Sequence, residues 1–227
     1  MVDGRKLTFE VAGLLDGVLT MVDRETGTVW THLDGKAIRG PMAGERLTMV
    51  PIPQMTWGDW RAASPDTLVL SADTPFINRY GSVRIGVYNP SEAQFGDERL
   101  PANALVVGVE VDGLFKGYEV EALVAEGGLV NDALGGQPVL VLYDAEARTG
   151  IAFSRLLDGR ALEFAGAARD GRLELRDLET GSTWDLRGRA TSGLLAGKTL
   201  DFVPSFISEW YGWSAYHPES ALFALDS

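Results

Sequence analysis

The feature that most constrains this chain is a stretch that occurs twice. Residues Asp23-Arg24-Glu25-Thr26-Gly27-Thr28-Val29-Trp30 return as Asp177-Leu178-Glu179-Thr180-Gly181-Ser182-Thr183-Trp184. The text that follows matches as well. Gly35, Ala37, Gly40, Gly44, Leu47, Val50-Pro51, Trp57, Trp60 and Pro65 recur as Gly188, Ala190, Gly193, Gly197, Leu200, Val203-Pro204, Trp210, Trp213 and Pro218. The offset is 154 residues at the motif and 153 beyond it. Spacing this regular predicts an internal duplication, with matched residues imposing matched backbone paths. It points to no particular chemistry.

The repeated unit reads as a series of hairpins. Asp-Gly occurs at Asp3, Asp16, Asp34, Asp112, Asp158 and Asp170, and this dipeptide suits turns in which both central residues take positive φ. Around Asp112-Gly113 the alternation of Val107, Val109 and Val111 before the turn, with Leu114 to Tyr118 after it, marks a hairpin. Strands are expected at Leu7-Phe9, Val18-Val22, Val29-His32 and Leu47-Val50. A short helix should follow, opened by Thr56 and Asp59 in a capping-box spacing. Phe206, Trp210 and Trp213 are spaced as one helical face. Leu68-Leu70 and Ala221-Phe223 are expected to close each copy as buried strands. Leu105-Val111 and the apolar run Val139-Tyr143 read as strands, and Val120-Val124 as a short helix.

These readings divide the chain into a first unit over 1–71, a connector over 72–100 and a second, longer unit over 101–227, in one compact domain. Residues 101–155 have no counterpart ahead of the first unit, whose front half is therefore expected to be missing. The fold class is mainly β: two related units forming a shared barrel or sandwich with a few short helices. The first unit's sheet should show an unpaired edge or an uncovered apolar face, so the chain is expected to be a monomer or a homodimer.

Composition excludes several functions. A net charge of -12 argues against nucleic acid, because neutralising phosphates needs clustered Lys and Arg. The absence of cysteine removes disulfides, thiol nucleophiles and cysteine-held metals. The two histidines, His32 and His217, lack zinc-site spacing, so no metal and no cofactor is expected. No Gly-x-Ser-x-Gly elbow, dinucleotide fingerprint or phosphate loop is present. No apolar run is long enough to span a bilayer, which makes a cytoplasmic protein the default expectation, with a signal removed upstream of residue 1 as the alternative.

The combination of Leu7-Thr8-Phe9, the motif from Asp23 to Trp30, Gly40-Pro41-Met42-Ala43-Gly44, Trp57-Gly58-Asp59-Trp60 and Arg79-Tyr80-Gly81 resembles the bacterial family called domain of unknown function 3179. Val130-Asn131-Asp132, Ala152-Phe153-Ser154-Arg155 and the second motif through Trp184 extend the resemblance over nearly the whole chain. It implies a fold relationship. The resemblance implies a front half that members of that family usually carry, with a Cys-Pro-Leu-Cys-like segment, and that this chain lacks. The corresponding place here holds Leu140-Val141-Leu142-Tyr143-Asp144, so no thiol or metal role carries over.

Candidate site residues come from two sources. Trp57, Trp60, Trp210 and Trp213 form two equivalent pairs that either line an aromatic cleft or build the core, with core preferred. Arg79, Tyr80, Asp132 and Arg155 are polar residues of unduplicated text with less structural reason to be there. Asp23 and Asp177 are expected to accept hydrogen bonds from their own turns. The preferred function is a small-molecule binding protein, or a cofactor-independent enzyme, with an aromatic-lined pocket. The alternatives are an assembly module for another protein chain and a carbohydrate-binding accessory domain.

Overall fold

The computed structural model describes residues 2, 4–15, 18–52, 56–71, 73, 75, 97–169 and 172–223. Strands β1 (Phe9–Leu15), β2 (Val18–Asp23), β3 (Val29–Thr31) and β4 (Ala37–Arg39) form an antiparallel sheet in that order. Helix α1 (Trp57–Ala63) follows. The next stretch runs β5 (Leu105–Val111), β6 (Leu114–Glu119), α2 (Val120–Ala125), β7 (Leu129–Leu134), β8 (Gln137–Asp144) and β9 (Thr149–Ser154). A small hairpin, β10 (Leu156–Leu157) and β11 (Arg160–Ala161), leads to a second antiparallel sheet. This contains β12 (Phe164–Arg169), β13 (Arg172–Asp177), β14 (Thr183–Trp184) and β15 (Ala190–Ser192). Strands β16 (Phe202–Val203) and β17 (Ser205–Glu209), helix α3 (Trp210–Tyr216) and strand β18 (Ala221–Phe223) complete the order.

The sheets β1–β4 and β12–β15 agree in detail. Both have the same strand order, and Phe9 pairs with Asp23 as Phe164 pairs with Asp177. Each has a register shift between its last two strands. In each turn the aspartate closes its own loop. Asp23 Oδ1 accepts from Thr26 N at 2.5 Å and Asp177 Oδ1 from Thr180 N at 2.6 Å. The other oxygen accepts the buried indole N–H of Trp30 at 2.8 Å and of Trp184 at 2.9 Å. Gly27 and Gly181 both take φ of +71°, a conformation glycine adopts without steric penalty. Burial opposes charge on Asp23 and Asp177, but these hydrogen bonds outweigh it and hold both carboxyls below the usual range.

The rest of the chain stacks in layers. Sheet β16-β9-β8-β7 lies between two others. Val139, Val141 and Tyr143 of β8 join Val107, Val109 and Tyr118 of sheet β17-β5-β6-β18 in one core cluster. The alternate residues Leu140 and Leu142 pack with Phe164, Leu175 and Trp184 of the β12–β15 sheet. Period-two alternation thus serves both faces of β8, which is why its sequence is a continuous apolar run. On the far side of β5, Val106 packs with Trp210 and Trp213 of α3. A Cβ on Gly108 would fall 2.1 Å from the Trp213 ring, so only glycine lets the indole lie on the strand.

The chain is mainly β, with three short helices among the described residues. The expected shared barrel does not form, since none of the sheets closes. Among the described residues, the strands of 105–154 share core clusters with the second half, while the β1–β4 sheet keeps its own core of Val2, Trp30, Ala37 and Met42. Three local expectations also change. Leu47-Val50 is not a strand; β16, at the matching text, pairs with β9, and no such strand lies beside Val50 among the described residues. Leu68-Leu70 is neither a strand nor buried. Phe206 lies in β17 rather than on the helix, meeting the Trp213 ring edge-on from there.

Both residues of Asp112-Gly113 and of Asp158-Gly159 take positive φ, as expected of tight hairpins. At Asp34-Gly35 only the glycine does, because Asp34 Oδ1 instead accepts from Lys36 N at 3.2 Å and from the Thr31 hydroxyl. Asp3, the turns at Asp16 and Asp170 and most of the 72–100 connector lie outside the described residues, while Gly4 takes positive φ between the bridged Val2 and Arg5. No helix among the described residues is long and apolar enough to cross a membrane.

Candidate functional site

Three segments border a concavity of about 760 Å³. The β3–β4 turn and the loop after β4 bring Asp34, Lys36 and Arg46. The β5–β6 hairpin brings Glu110, Asp112 and Phe115, and β16 brings Phe202 and Val203. The tight turn at Asp112-Gly113 projects its residues over the cavity, and Glu110 is anchored beneath by its N–H to Pro204 O at 2.9 Å.

Arg46 links the two halves. Its Nη1 donates to Glu110 Oε1 at 2.5 Å and its Nη2 to Glu110 Oε2, a two-pronged pairing of fork and carboxylate. Nε donates to the Asp34 carbonyl at 3.1 Å, and Nη2 reaches Asp34 Oδ2 at 3.4 Å. The Glu110 hydrogen bonds raise the Arg46 pKa further, so the guanidinium is a permanent cation. It is also 40% exposed, so one face remains open to the cavity.

Behind Asp34 lies an aromatic layer. The Tyr216 hydroxyl is 3.2 Å from Thr31 Oγ1 and 3.3 Å from Asp34 Oδ1. Burial, reinforced by the Asp34 charge, raises its pKa despite the Thr31 hydrogen bond. His217 is buried and stacks on Phe115 at 3.8 Å between centroids. Burial pushes its pKa down to about 4, so the imidazole is neutral at pH 7. The cavity therefore offers two cations, Lys36 and Arg46, three carboxylates, Asp34, Glu110 and Asp112, and an apolar wall of Phe115, Phe202 and Val203. Among the described residues no group of three or more His, Asp or Glu is placed to hold a metal ion.

Among the described residues, none of those singled out from the sequence lines this cavity. Arg79 and Tyr80 lie outside the described residues. Asp132 accepts from Lys116 Nζ at 2.6 Å and from the Tyr118 hydroxyl at 2.8 Å. Burial opposes the Asp132 charge, but Lys116 and the other donors hold its carboxyl below the usual range. Arg155 is buried and serves the fold: it donates to the carbonyls of Val139 at 3.1 Å, Leu162 at 2.8 Å and Asp132 at 3.1 Å, and pairs with Glu163. Asp132 and Arg155 are thus neighbours through a main-chain oxygen. Trp210 and Trp213 belong to the core. Trp60 donates its indole N–H to Thr67, and Trp57 is exposed.

The residues that were missed carried a signal. At the 153-residue offset Asp34 faces Arg187, Arg46 faces Thr199, Tyr216 faces Ala63 and His217 faces Ser64. All four are positions at which the two matched stretches of sequence differ, as they also do at Lys36 and Glu45.

No curated protein and no solved structure matches the chain. Residues 1–220 match the family described as "Protein of unknown function (DUF3179)". With nearly all of its length inside that match, the chain belongs to this family.

Proposed function

We propose that the chain binds a small zwitterionic molecule in the cavity between its two halves. The observation that carries this reading is the convergence of Asp34, Arg46 and Glu110 on one concavity. Residues 1–71 and 160–223 are read as copies of one duplicated unit, and Asp34 and Arg46 stand where the copies differ. The Arg46 guanidinium keeps an open face beside exposed Lys36, so both cations are accessible to a ligand. Two cations suit a carboxylate, three carboxylates suit an ammonium, and Phe115 and Phe202 suit an apolar stem. A volume of about 760 Å³ falls in the range typical of small-molecule sites.

The test is a thermal-shift screen of the full chain against the standard amino acids and short dipeptides. A binder should raise the melting temperature of the wild type, and Lys36→Met should abolish the rise while moving the ligand-free melting temperature by less than about 2 °C. No rise with any of these molecules, or a rise unaffected by both Lys36→Met and Arg46→Met, overturns the reading.

A further inference from the structure

The charges that border the cavity are not equally free. Both Glu110 oxygens accept from Arg46. Asp34 Oδ1 accepts from the Thr31 hydroxyl and from Lys36 N at 3.2 Å, and lies 3.3 Å from the Tyr216 hydroxyl. Its Oδ2 faces Arg46 Nη2 at 3.4 Å. These two carboxylates are already engaged. Asp112 is exposed at the tip of the β5–β6 hairpin, and among the described residues its carboxylate has no partner. The same holds for the exposed Lys36 ammonium. The free charges are therefore a cationic end, at Lys36 and the open face of Arg46, and an anionic end at Asp112.

Their separation sets the length of a ligand. The Arg46 fork is held on Glu110, and Asp112 lies two residues further along the hairpin. Val111 between them ends strand β5, so the two Cα atoms are about 7 Å apart. In an α-amino acid the nitrogen and the carboxyl carbon are only about 2.5 Å apart. In an extended dipeptide they are about 6–7 Å apart.

The main chain favours the same ligand. Strand β17 begins opposite Val109, and the ladder ends where Glu110 N donates to Pro204 O at 2.9 Å. Val111 pairs with Leu114 across the hairpin. Alternation then turns the Asp112 N–H away from β6, to the side that β17 has left. No acceptor meets it among the described residues, so it is free for an amide carbonyl of a bound peptide. Building on the proposed zwitterion site, we infer that its ligand is a dipeptide, with its carboxylate on Arg46 and Lys36, its ammonium on the Asp112 carboxylate and its first carbonyl on the Asp112 N–H. Phe115 and Phe202 supply an apolar wall for its side chains.

The test is calorimetric titration of the full chain with alanine, dialanine and trialanine, which differ only in the distance between their charges. Dialanine should bind at least about fivefold tighter than alanine, and trialanine no tighter than dialanine. Asp112→Asn keeps the hairpin, because Asn-Gly suits the same pair of positive φ angles. It should reduce dialanine binding to the level of alanine and leave alanine unchanged. Alanine binding as tightly as dialanine, or a preference for dialanine that survives in Asp112→Asn, overturns the inference. So does the absence of heat with all three ligands. The underlying site falls separately, when no amino acid and no dipeptide raises the melting temperature.

Discussion

Acidification should weaken the fold through one buried histidine. His217 packs between Phe115, Trp213 and Tyr216, with the Asp34 carboxylate favouring its charge and the Arg46 guanidinium opposing it. Burial dominates and lowers its pKa from 6.5 to about 4. The folded state therefore holds a neutral ring over a window in which the unfolded chain takes up a proton. Stability from this group is fully present above pH 6.5 and is lost as pH falls towards about 4. Between pH 7.5 and 5.0 the loss works out at about 2 kcal/mol, or about 4–8 °C for a chain of this size. Urea unfolding at the two pH values measures it. His217→Phe keeps the ring stack and removes the titration, so its loss over the same interval should be smaller by about 2 kcal/mol. An equal loss in wild type and variant would refute the burial argument. His32→Gln serves as the control at the other, exposed histidine.

Three further substitutions probe the fold and the site. Asp177→Ala removes the acceptor of the buried Trp184 indole and of Thr180 N, and should lower the unfolding free energy by about 2–4 kcal/mol in urea titration. Gly108→Ala forces a methyl into the Trp213 ring and should cost at least about 1–3 kcal/mol, with loss of the native near-ultraviolet tryptophan signal. Arg155→Ala leaves three carbonyls short of a donor and Glu163 without its pair. It should lower the melting temperature by several degrees, and an unchanged melting temperature would return Arg155 to the list of site candidates.

Much of the architecture could be read from residues that act locally. The Asp23 and Asp177 turns are short-range: an aspartate, a glycine and a tryptophan within eight residues define the loop and its hydrogen bonds. The Asp112-Gly113 hairpin and the Thr56 cap are equally local; Thr56 Oγ1 accepts from Asp59 N at 3.2 Å. The run Val139-Tyr143 was legible as a central strand because both its faces are covered.

What could not be read depends on long-range partners. Val50 and Val203 share a Leu-x-x-Val-Pro text, but among the described residues only Val203 has a strand such as β9 beside it. Leu68-Leu70 looks like a buried strand, yet its burial depends on a neighbour that the residues themselves do not specify. The Arg46–Glu110 pair spans 64 residues and Tyr216–Asp34 spans 182. Nothing in the spacing of either pair announces a contact. Arg155 looked free of structural duty because its partners are main-chain oxygens, which leave no trace in the sequence.

The most direct test of the central claim compares one molecule in three charge states. An amino acid that raises the melting temperature is titrated calorimetrically into the chain beside its methyl ester and its N-acetyl derivative. Recognition of the ligand's carboxylate by Arg46 and Lys36 and of its ammonium by the cavity's carboxylates predicts that only the zwitterion binds with measurable heat. Equal binding of all three forms would contradict the account.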